Sequence, residues 1–254
     1  MTKSFKVEKL RVEIFPDRKS MGQYAASEVA GKLKALLVWK ENVRMIFAAA
    51  PSQNEFLEEL ISIEGIDWSR ITAFHMDEYI GLPKTAKQLF GNFLEERIFG
   101  KVKFKKIYYL NSNPANLDEE CSRYSKLLLE APVDVVCLGI GENGHIAFND
   151  PPVADFNDSK LVKVVELDGI SRRQQVNDEC FPALNEVPER ALTLTIPALL
   201  AGHSLFIVVP GSTKAEAVYK TLNGEISAKC PASILRRHNN AVLYLDSNSA
   251  SRIL

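Results

Sequence analysis

The feature that most limits the fold of this chain is a regular alternation of strand-like and helix-like segments along its 254 residues. Short apolar, β-branched runs such as 43–50 and 133–138 alternate with stretches such as 20–40, which have the spacing of amphipathic helices. Strands separated by helices of about ten or more residues imply parallel pairing, with helices on both faces of the sheet. The sequence therefore predicts an α/β fold with a mostly parallel sheet. Because no repeat, low-complexity tract or long linker interrupts the pattern, we expect one domain over residues 1–254.

The predicted elements follow from this periodicity. Strands are expected at 1–15, 43–50, 71–79, 107–110, 133–138, 161–167, 205–209 and 241–246. Helices are expected at 20–40, 54–63, 86–99, 117–130, 171–180 and 213–222.

Composition narrows the class of partner. The formal charge of −1 and the pI near 6.5 argue against nucleic acid, which normally requires a basic face. No apolar stretch reaches the roughly 20 residues of a membrane span, and the charged, alternating start does not resemble a signal peptide. Four scattered cysteines without a C-x-x-C pair indicate reduced thiols and a cytoplasmic protein. Four histidines without paired spacing predict no metal site.

A glycine-rich turn follows the strand predicted at 133–138. The G-x-G-x-x-G spacing from Gly139 matches a dinucleotide-binding turn, but that turn works only if its last glycine opens a helix. Here the turn delivers His145, and Pro151 and Pro152 soon forbid a helix. The pattern therefore favours a loop that acts through its side chains, without an organic cofactor.

Two adjacent acids end the strand predicted at 71–79. Neighbouring side chains on a strand point in opposite directions, so at most one of Asp77 and Glu78 faces a given pocket. A carboxylate shielded from water at a strand end has the raised pKa of a useful general base. The alternative interpretation is a solvated acidic strand end.

A Gly-Ser-Thr-Lys turn joins the strand predicted at 205–209 to a helix. Free backbone N–H groups, hydroxyls and Lys214 in the first helical turn favour a phosphate. Alternatively, Thr213 and Glu216 have the spacing of a capping box, which leaves the lysine unexplained. Arg172 and Arg173 are further candidates for a phosphate clamp, although a solvated helix face fits them equally well.

Together these segments resemble the glucosamine-6-phosphate deaminase (isomerase) family. The resemblance rests on MDEYIGL at 76–82 and LGIGENGHIAFNDP at 138–151, and extends to PGSTKA at 210–215 and more loosely to PASIL at 231–235. It implies a single-domain, modified Rossmann-like α/β fold. The implied reaction converts glucosamine 6-phosphate, or a close epimer, to fructose 6-phosphate and ammonia without a metal or organic cofactor.

The resemblance also implies roles for individual residues. Asp77, with Glu78 beside it, would move a proton from C2 to C1 of the sugar. His145 would assist ring opening, and Lys214 would hold the phosphate. Gly141 and Gly144 of the glycine turn are expected to lie against the substrate.

The chain departs from the family pattern in three places. Asn143 replaces an aspartate common in the family two residues before the histidine, and Asp150 replaces a glutamate. The glycine-rich phosphate loop of the family is replaced by AAAPSQN at 48–54, where Ser52 and Gln53 are left to donate hydrogen bonds. The arginine of the family phosphate pocket matches Arg172 or Arg173 only approximately.

Two other functions fit parts of the pattern. A 6-phosphogluconolactonase shares the glycine loop up to the histidine, and a non-catalytic sugar-phosphate sensor would explain the altered loop. FNDP at 148–151 and the MDEY segment favour the deaminase over the lactonase, and retention of Asp77 and His145 weighs against a sensor. The sequence leaves open the sugar epimer and the oligomeric state, a homo-oligomer included.

Overall fold

Eleven strands form two sheets in the computed structural model, which describes residues 3–254. The strands are β1 (Lys3–Val7), β2 (Leu10–Phe15), β3 (Val43–Phe47), β4 (Ile71–His75), β5 (Asp77–Tyr79), β6 (Lys106–Tyr108), β7 (Val135–Leu138), β8 (Val162–Glu166), β9 (Arg190–Leu194), β10 (Ser204–Val209) and β11 (Ala241–Asp246). Eight of them build the central sheet in the order β1-β2-β11-β10-β7-β3-β4-β6. Every pair in it is parallel except β1 with β2, so the predicted mostly parallel sheet is confirmed.

The helices cover both faces of the central sheet, as predicted. They are α1 (Arg18–Leu37), α2 (Asn54–Ser62), α3 (Phe90–Leu94), α4 (Leu117–Leu129), α5 (Gly169–Asn177), α6 (Ile196–Leu200) and α7 (Ala215–Asn223). One hydrophobic cluster packs α1 and α2 against one face, and a second packs α4 and α7 against the other. Strand β7 serves both, because its successive side chains alternate: Val135 and Cys137 enter the first cluster, Val136 and Leu138 the second.

The first predicted strand is a hairpin. Residues 8 and 9 turn the chain between β1 and β2, with Glu8 in the left-handed region at φ 53°, and the two strands pair antiparallel. The prediction of one strand was wrong because the turn contains none of the glycine, asparagine or aspartate that normally marks it.

The strand predicted at 71–79 is interrupted at Met76. Strand β4 pairs within the central sheet, whereas β5 pairs antiparallel with β9 in a three-stranded sheet of order β5-β9-β8. The helix predicted at 86–99 is a short α3 continued by a π-helical turn over Glu95–Phe99. Strand β9 and helix α6 were not predicted.

The chain changes direction along the sheet between β3 and β7. From β3 it proceeds outward to β4 and β6, and β7 then returns to pair with the other side of β3. Such a switch point leaves a crevice at the carboxyl ends of the strands. Within residues 3–254, no helix is both long and apolar enough to cross a membrane, and no three histidine, cysteine or acidic side chains are grouped to hold a metal ion.

Candidate active site

A cavity of about 170 Å³ lies at the carboxyl ends of β10, β7, β3 and β4. Each loop that follows one of these strands supplies part of its wall. Candidates from all four loops meet there: Ser52 and Gln53 after β3, Asp77 after β4, His145 after β7, and Lys214 after β10. The structure therefore brings together residues that are up to 162 positions apart in the chain (52 to 214).

His145 is held by two side chains of its own loop. Its Nδ1 lies 2.9 Å from Asp150 Oδ1 and 2.9 Å from Asn143 Oδ1, and Asn143 Nδ2 donates to Asp150 Oδ1 at 2.9 Å. Because Nδ1 faces two acceptor oxygens, it carries the proton, and Nε2 is left as the basic nitrogen. The shorter Asp150 side chain thus reaches the histidine, and Asn143 orients the ring as an amide can.

Asp150 stays ionised in this arrangement. Burial by itself would raise the pKa of this fully buried carboxyl, but hydrogen bonds from His145 and Asn143 lower it below its ordinary value. A carboxylate fixed in this way stabilises positive charge on the imidazole when Nε2 takes a proton.

Gly141 leaves the space that the histidine ring occupies. A Cβ at this position would lie 2.1 Å from His145 Cε1 and 2.2 Å from its Nε2, so any side chain would displace the ring. Gly144 has φ +85°, and a Cβ there would lie 2.6 Å from Cys230 Sγ. Gly141 lies in the cavity wall, whereas Gly144 packs against Cys230 outside it; the expectation that both lie against the substrate is corrected for Gly144.

The two adjacent acids separate as strand alternation predicts. Asp77 faces the cavity and is 7% exposed. Glu78 points away and accepts hydrogen bonds from the backbone N–H groups of Tyr79, Phe90 and Gly91 at 2.9, 3.0 and 2.9 Å. Glu78 therefore holds the start of α3, and its place in the catalytic set is not supported by its position.

Burial raises the pKa values of both carboxyl groups, Asp77 and Glu78. It raises the pKa of Asp77 well above the ordinary value, and the neighbouring Glu78 raises it further. Burial also raises the pKa of Glu78, to about 7, against the lowering effect of its three backbone donors. The raised pKa makes Asp77 a stronger base than a solvated carboxylate, as a general base requires.

His75 supports Asp77 from inside the protein. Its Nδ1–H donates to the backbone oxygen of Asp77 at 2.9 Å, and its Nε2 accepts from the Leu110 N–H at 2.9 Å. Burial lowers its pKa to about 4, so the ring is neutral at physiological pH. This histidine ties the end of β4 to the start of β5.

Lys214 presents a buried ammonium without a partner. The side chain is 4% exposed, lies in the cavity wall, and its Nζ has no hydrogen-bond partner. Burial lowers its pKa, against the opposing effect of the Asp178 and Glu142 carboxylates. The capping-box alternative is not formed: no side chain caps the start of α7, and Glu216 pairs with Lys220 at 3.2 Å and with Arg252.

The loop after β3 forms a 3₁₀ turn over Pro51–Gln53. Gln53 Nε2 donates to Ser52 Oγ at 3.1 Å and to the Val208 carbonyl oxygen at 3.1 Å. These bonds fix the loop to β10, and they leave Gln53 Oε1 buried without a donor.

The two predicted clamp arginines lie outside the cavity wall. Arg172 donates to the carbonyl oxygens of Leu184 and Val187, both at 2.9 Å, and Arg173 is exposed to solvent. Gln174 and Gln175 face the cavity instead. Helix α5 thus presents its two amides to the cavity, whereas Arg172 is used to hold the segment around Leu184 and Val187 and Arg173 faces solvent.

Sequence reasoning missed Arg18 and Asp178, which also line the cavity. Arg18 pairs with Glu55, with 2.6 Å between its Nε and Glu55 Oε1, and donates to the Pro51 carbonyl oxygen at 3.0 Å. Both positions are recognisable only from the fold, because Arg18 starts α1 and Asp178 follows the end of α5.

Residues 16–244 match the family described as glucosamine-6-phosphate isomerases/6-phosphogluconolactonase. The chain belongs to this family. Two similar proteins are glucosamine-6-phosphate deaminases of Bacillus cereus. That of strain B4264 is 38% identical over 186 residues, which cover 73% of this chain and 69% of the relative, and that of strain G9842 is 35% identical over 226 residues, 89% and 84%.

Solved structures of the isomerase/lactonase family share the fold. A monomeric glucosamine-6-phosphate deaminase superimposes with a TM-score of 0.86 at 31% identity, covering 94% of this chain and 98% of that one. A 6-phosphogluconolactonase from Thermotoga maritima gives 0.76 at 19% identity, covering 94% and 100%. All four cavity loops lie within the range matched to the family, so the site belongs to the shared part of the chain.

Proposed function

We propose that the protein is an amino sugar phosphate deaminase that converts glucosamine 6-phosphate, or a close epimer, to fructose 6-phosphate and ammonia. One observation carries the proposal: a shielded carboxylate, Asp77, and an oriented imidazole, His145, line the same cavity as the unpartnered ammonium of Lys214. A sugar phosphate has a reacting aldehyde end and an anionic end. Asp77 and His145 suit the reacting end, and Lys214 suits the anionic end.

His145 starts the reaction in this proposal. Its Nε2 takes the proton of the anomeric hydroxyl and returns it to the ring oxygen, which opens the pyranose to the aldehyde. The Asp150 carboxylate stabilises the imidazolium that forms in between, at 2.9 Å from Nδ1.

Asp77 carries out the isomerisation. Its carboxylate removes the proton from C2 and delivers it to C1 by way of an enediol-type intermediate. In the same conversion the C1 oxygen gains the proton that the C2 amine loses, so that the amino aldehyde becomes a 1-hydroxy C2 imine. Water then adds to C2 and ammonia leaves, which gives the ketose. Because one carboxylate accepts and returns the same proton, no external acid or base is consumed.

The phosphate is held at the other end of the cavity. Lys214 supplies the charge and Ser52 a hydroxyl, while Arg172 and Arg173 take no part because of their position. The identity of 35–38% to named deaminases supports this function over a lactonase, since the lactonase named above is only 19% identical and shares the fold alone.

Ammonia release tests the proposal. The protein is incubated with glucosamine 6-phosphate, galactosamine 6-phosphate, their N-acetyl forms and 6-phosphogluconolactone, beside the variant Asp77→Asn. We expect ammonia from a free amino sugar phosphate and none from the variant. Lactone hydrolysis without ammonia release would replace the deaminase by a lactonase, and binding without any turnover would replace it by a sensor.

A further inference from the structure

The end of the cavity around Lys214 is poorly suited to a doubly charged phosphate. We call this region, formed by Lys214, Gln53, Ser52 and Asp178, the distal end. A phosphate dianion only accepts hydrogen bonds, so a site built for it should present donors and positive charge. The distal end presents acceptors as well.

Positive charge is scarce there. Of the two basic residues, lysine or arginine, in the cavity wall, Arg18 is already paired with Glu55, and only Lys214 is free of an ion pair among residues 3–254. The loop after β3 lacks glycines that would let backbone N–H groups wrap an anion.

A buried acceptor without a donor lies in the same wall. Gln53 Nε2 donates to the Val208 carbonyl oxygen, which cannot donate in return, so the orientation of this amide is fixed. Its Oε1 is therefore an acceptor, on a side chain only 1% exposed, with no hydrogen to receive. A ligand that brings a hydroxyl hydrogen into this wall would meet a group that needs one.

Asp178 adds a charged acceptor. Asp178 lies in the cavity wall, and its Oδ2 receives one hydrogen bond, from Gln174 Nε2 at 3.2 Å. Within residues 3–254 no donor reaches its Oδ1, so the carboxylate keeps an acceptor oxygen for a ligand. The Lys214 ammonium lies near enough to feel the carboxylate but forms no ion pair with it within 4.0 Å. The gap between them can be filled by a group that accepts from the lysine and donates to the aspartate.

The other titratable or charged groups around Asp178 lie outside the cavity wall, including Glu142, whose Oε1 is also buried without a hydrogen-bond partner. They are Glu142 beside Lys214, Tyr79 and Cys180 beside Asp178, Arg97 beyond Cys180, and the exposed Glu179 next in the chain. Burial raises the pKa of both Tyr79 and Cys180, so neither carries charge at neutral pH.

We infer that Asp178 determines specificity at the distal end by accepting a hydrogen bond from a phosphoryl hydroxyl, so that the substrate phosphate binds with one proton. The inference rests on the proposed function only in placing a sugar phosphate in the cavity. Lys214 then pairs with a single negative charge, and Asp178 excludes the dianion by repulsion.

A proton must be taken up when such a ligand binds at neutral pH. The second pKa of a phosphate monoester is about 6, so the free ligand is mostly the dianion at pH 7.5. Binding moves one proton from solvent to the phosphoryl–carboxylate pair. A sulfate ester has no proton to share at this pH, so the same site should reject it.

Calorimetry measures this proton directly. Glucosamine 6-phosphate is titrated into Asp77→Asn, which leaves the ligand intact, at pH 7.5 in two buffers of different ionisation enthalpy. We expect uptake of about one proton in this parent and close to none after adding Asp178→Asn. Glu179→Gln, which removes the same charge from an exposed neighbouring residue, should behave like the parent.

A second arm compares ligands. At pH 6 the parent should bind glucosamine 6-phosphate about 10- to 100-fold more tightly than glucosamine 6-sulfate, the range expected for one hydrogen bond to a charged group. Asp178→Asn should reduce this preference at least several-fold, because the amide neither repels the sulfate nor requires its proton.

The outcomes separate the two proposals. Binding without proton uptake, or uptake and ligand preference unchanged in Asp178→Asn, overturns the role of Asp178 and leaves the deaminase proposal standing. Proton-linked binding by a protein that releases no ammonia overturns the deaminase proposal alone. A lack of any binding overturns both.

Discussion

The two ends of the cavity are built in opposite ways. At the reacting end, formed by Asp77, His145, Asn143 and Asp150, the histidine is paired and the loop is fixed by hydrogen bonds of about 2.9 Å. At the distal end, Lys214 Nζ and Gln53 Oε1 are buried without partners. The protein itself therefore positions the groups at the reacting end, whereas it leaves two polar atoms at the distal end for a ligand to satisfy.

The largest effect is expected from the base at the reacting end. Asp77→Asn keeps the side-chain volume and removes the proton acceptor, so the rate of ammonia release should fall about 10³-fold, within the usual range for general-base catalysis. Substrate affinity and the melting temperature should stay near those of the native protein. If Asp77→Asn keeps most of its kcat, another residue is the general base.

Gly141→Ala tests whether the reacting end depends on rigid placement. The new Cβ would occupy the space of the His145 ring, 2.1 Å from Cε1, so kcat should fall by about 10²-fold as the imidazole is displaced. Gly139→Ala is the matched control, because a Cβ there meets its nearest atom, Gln53 Nε2, at an ordinary 3.4 Å. If kcat falls equally in the two variants, the loss comes from a change in the loop backbone rather than from displacement of the His145 ring.

Lys214→Met sharpens the comparison at the distal end. Removing the ammonium should raise KM about 10- to 100-fold with a smaller change in kcat. The same variant should be more stable by about 1–3 kcal/mol without ligand, because a buried charge without a partner is lost. Urea unfolding measures the second effect. Lys220→Met, on the exposed face of α7, should change neither KM nor stability appreciably.

The smallest effects concern the arginines that the sequence placed at the distal end. Arg172→Ala should leave KM unchanged and lower the free energy of unfolding by about 2 kcal/mol, because two carbonyl oxygens lose their donor. Arg173→Ala should alter neither quantity. If KM rises in either variant as much as in Lys214→Met, that arginine contributes to phosphate binding and the prediction is wrong.

The sequence predicted the reacting end better than the distal end for a physical reason. Asp77 and His145 lie in continuous motifs at the ends of strands, and strand alternation alone predicts that only one of Asp77 and Glu78 can face a pocket. The distal end is assembled from the end of α5 and the loops after β3 and β10, and Arg18 of α1 lies in the same cavity wall. Arg18 contacts Pro51 and Glu55, a pairing that only the packing of α1 on α2 creates.

The same difference between local pattern and long-range packing explains which parts of the fold the sequence predicted. The helices α1 and α4 and the strand β7 were predicted to within three residues at each end, because the helices have helical spacing and β7 is a short apolar, β-branched run. The break at Met76 was not predicted, because no glycine or proline interrupts 71–79 and only the pairing partners differ on its two sides.

That break also decides which of the two neighbouring acids can do chemistry. Successive side chains of a strand point to opposite faces, so the position at which β5 begins determines which face Asp77 occupies. The hydrogen bond from His75 Nδ1 to the backbone oxygen of Asp77 fixes that position. Inserting or deleting one residue between His75 and Asp77 would move each side chain of β5 to the opposite face. Glu78 would then lie on the face of β5 that lines the cavity, and Asp77 on the opposite face. The single residue between His75 and Asp77 therefore determines which carboxylate lines the cavity.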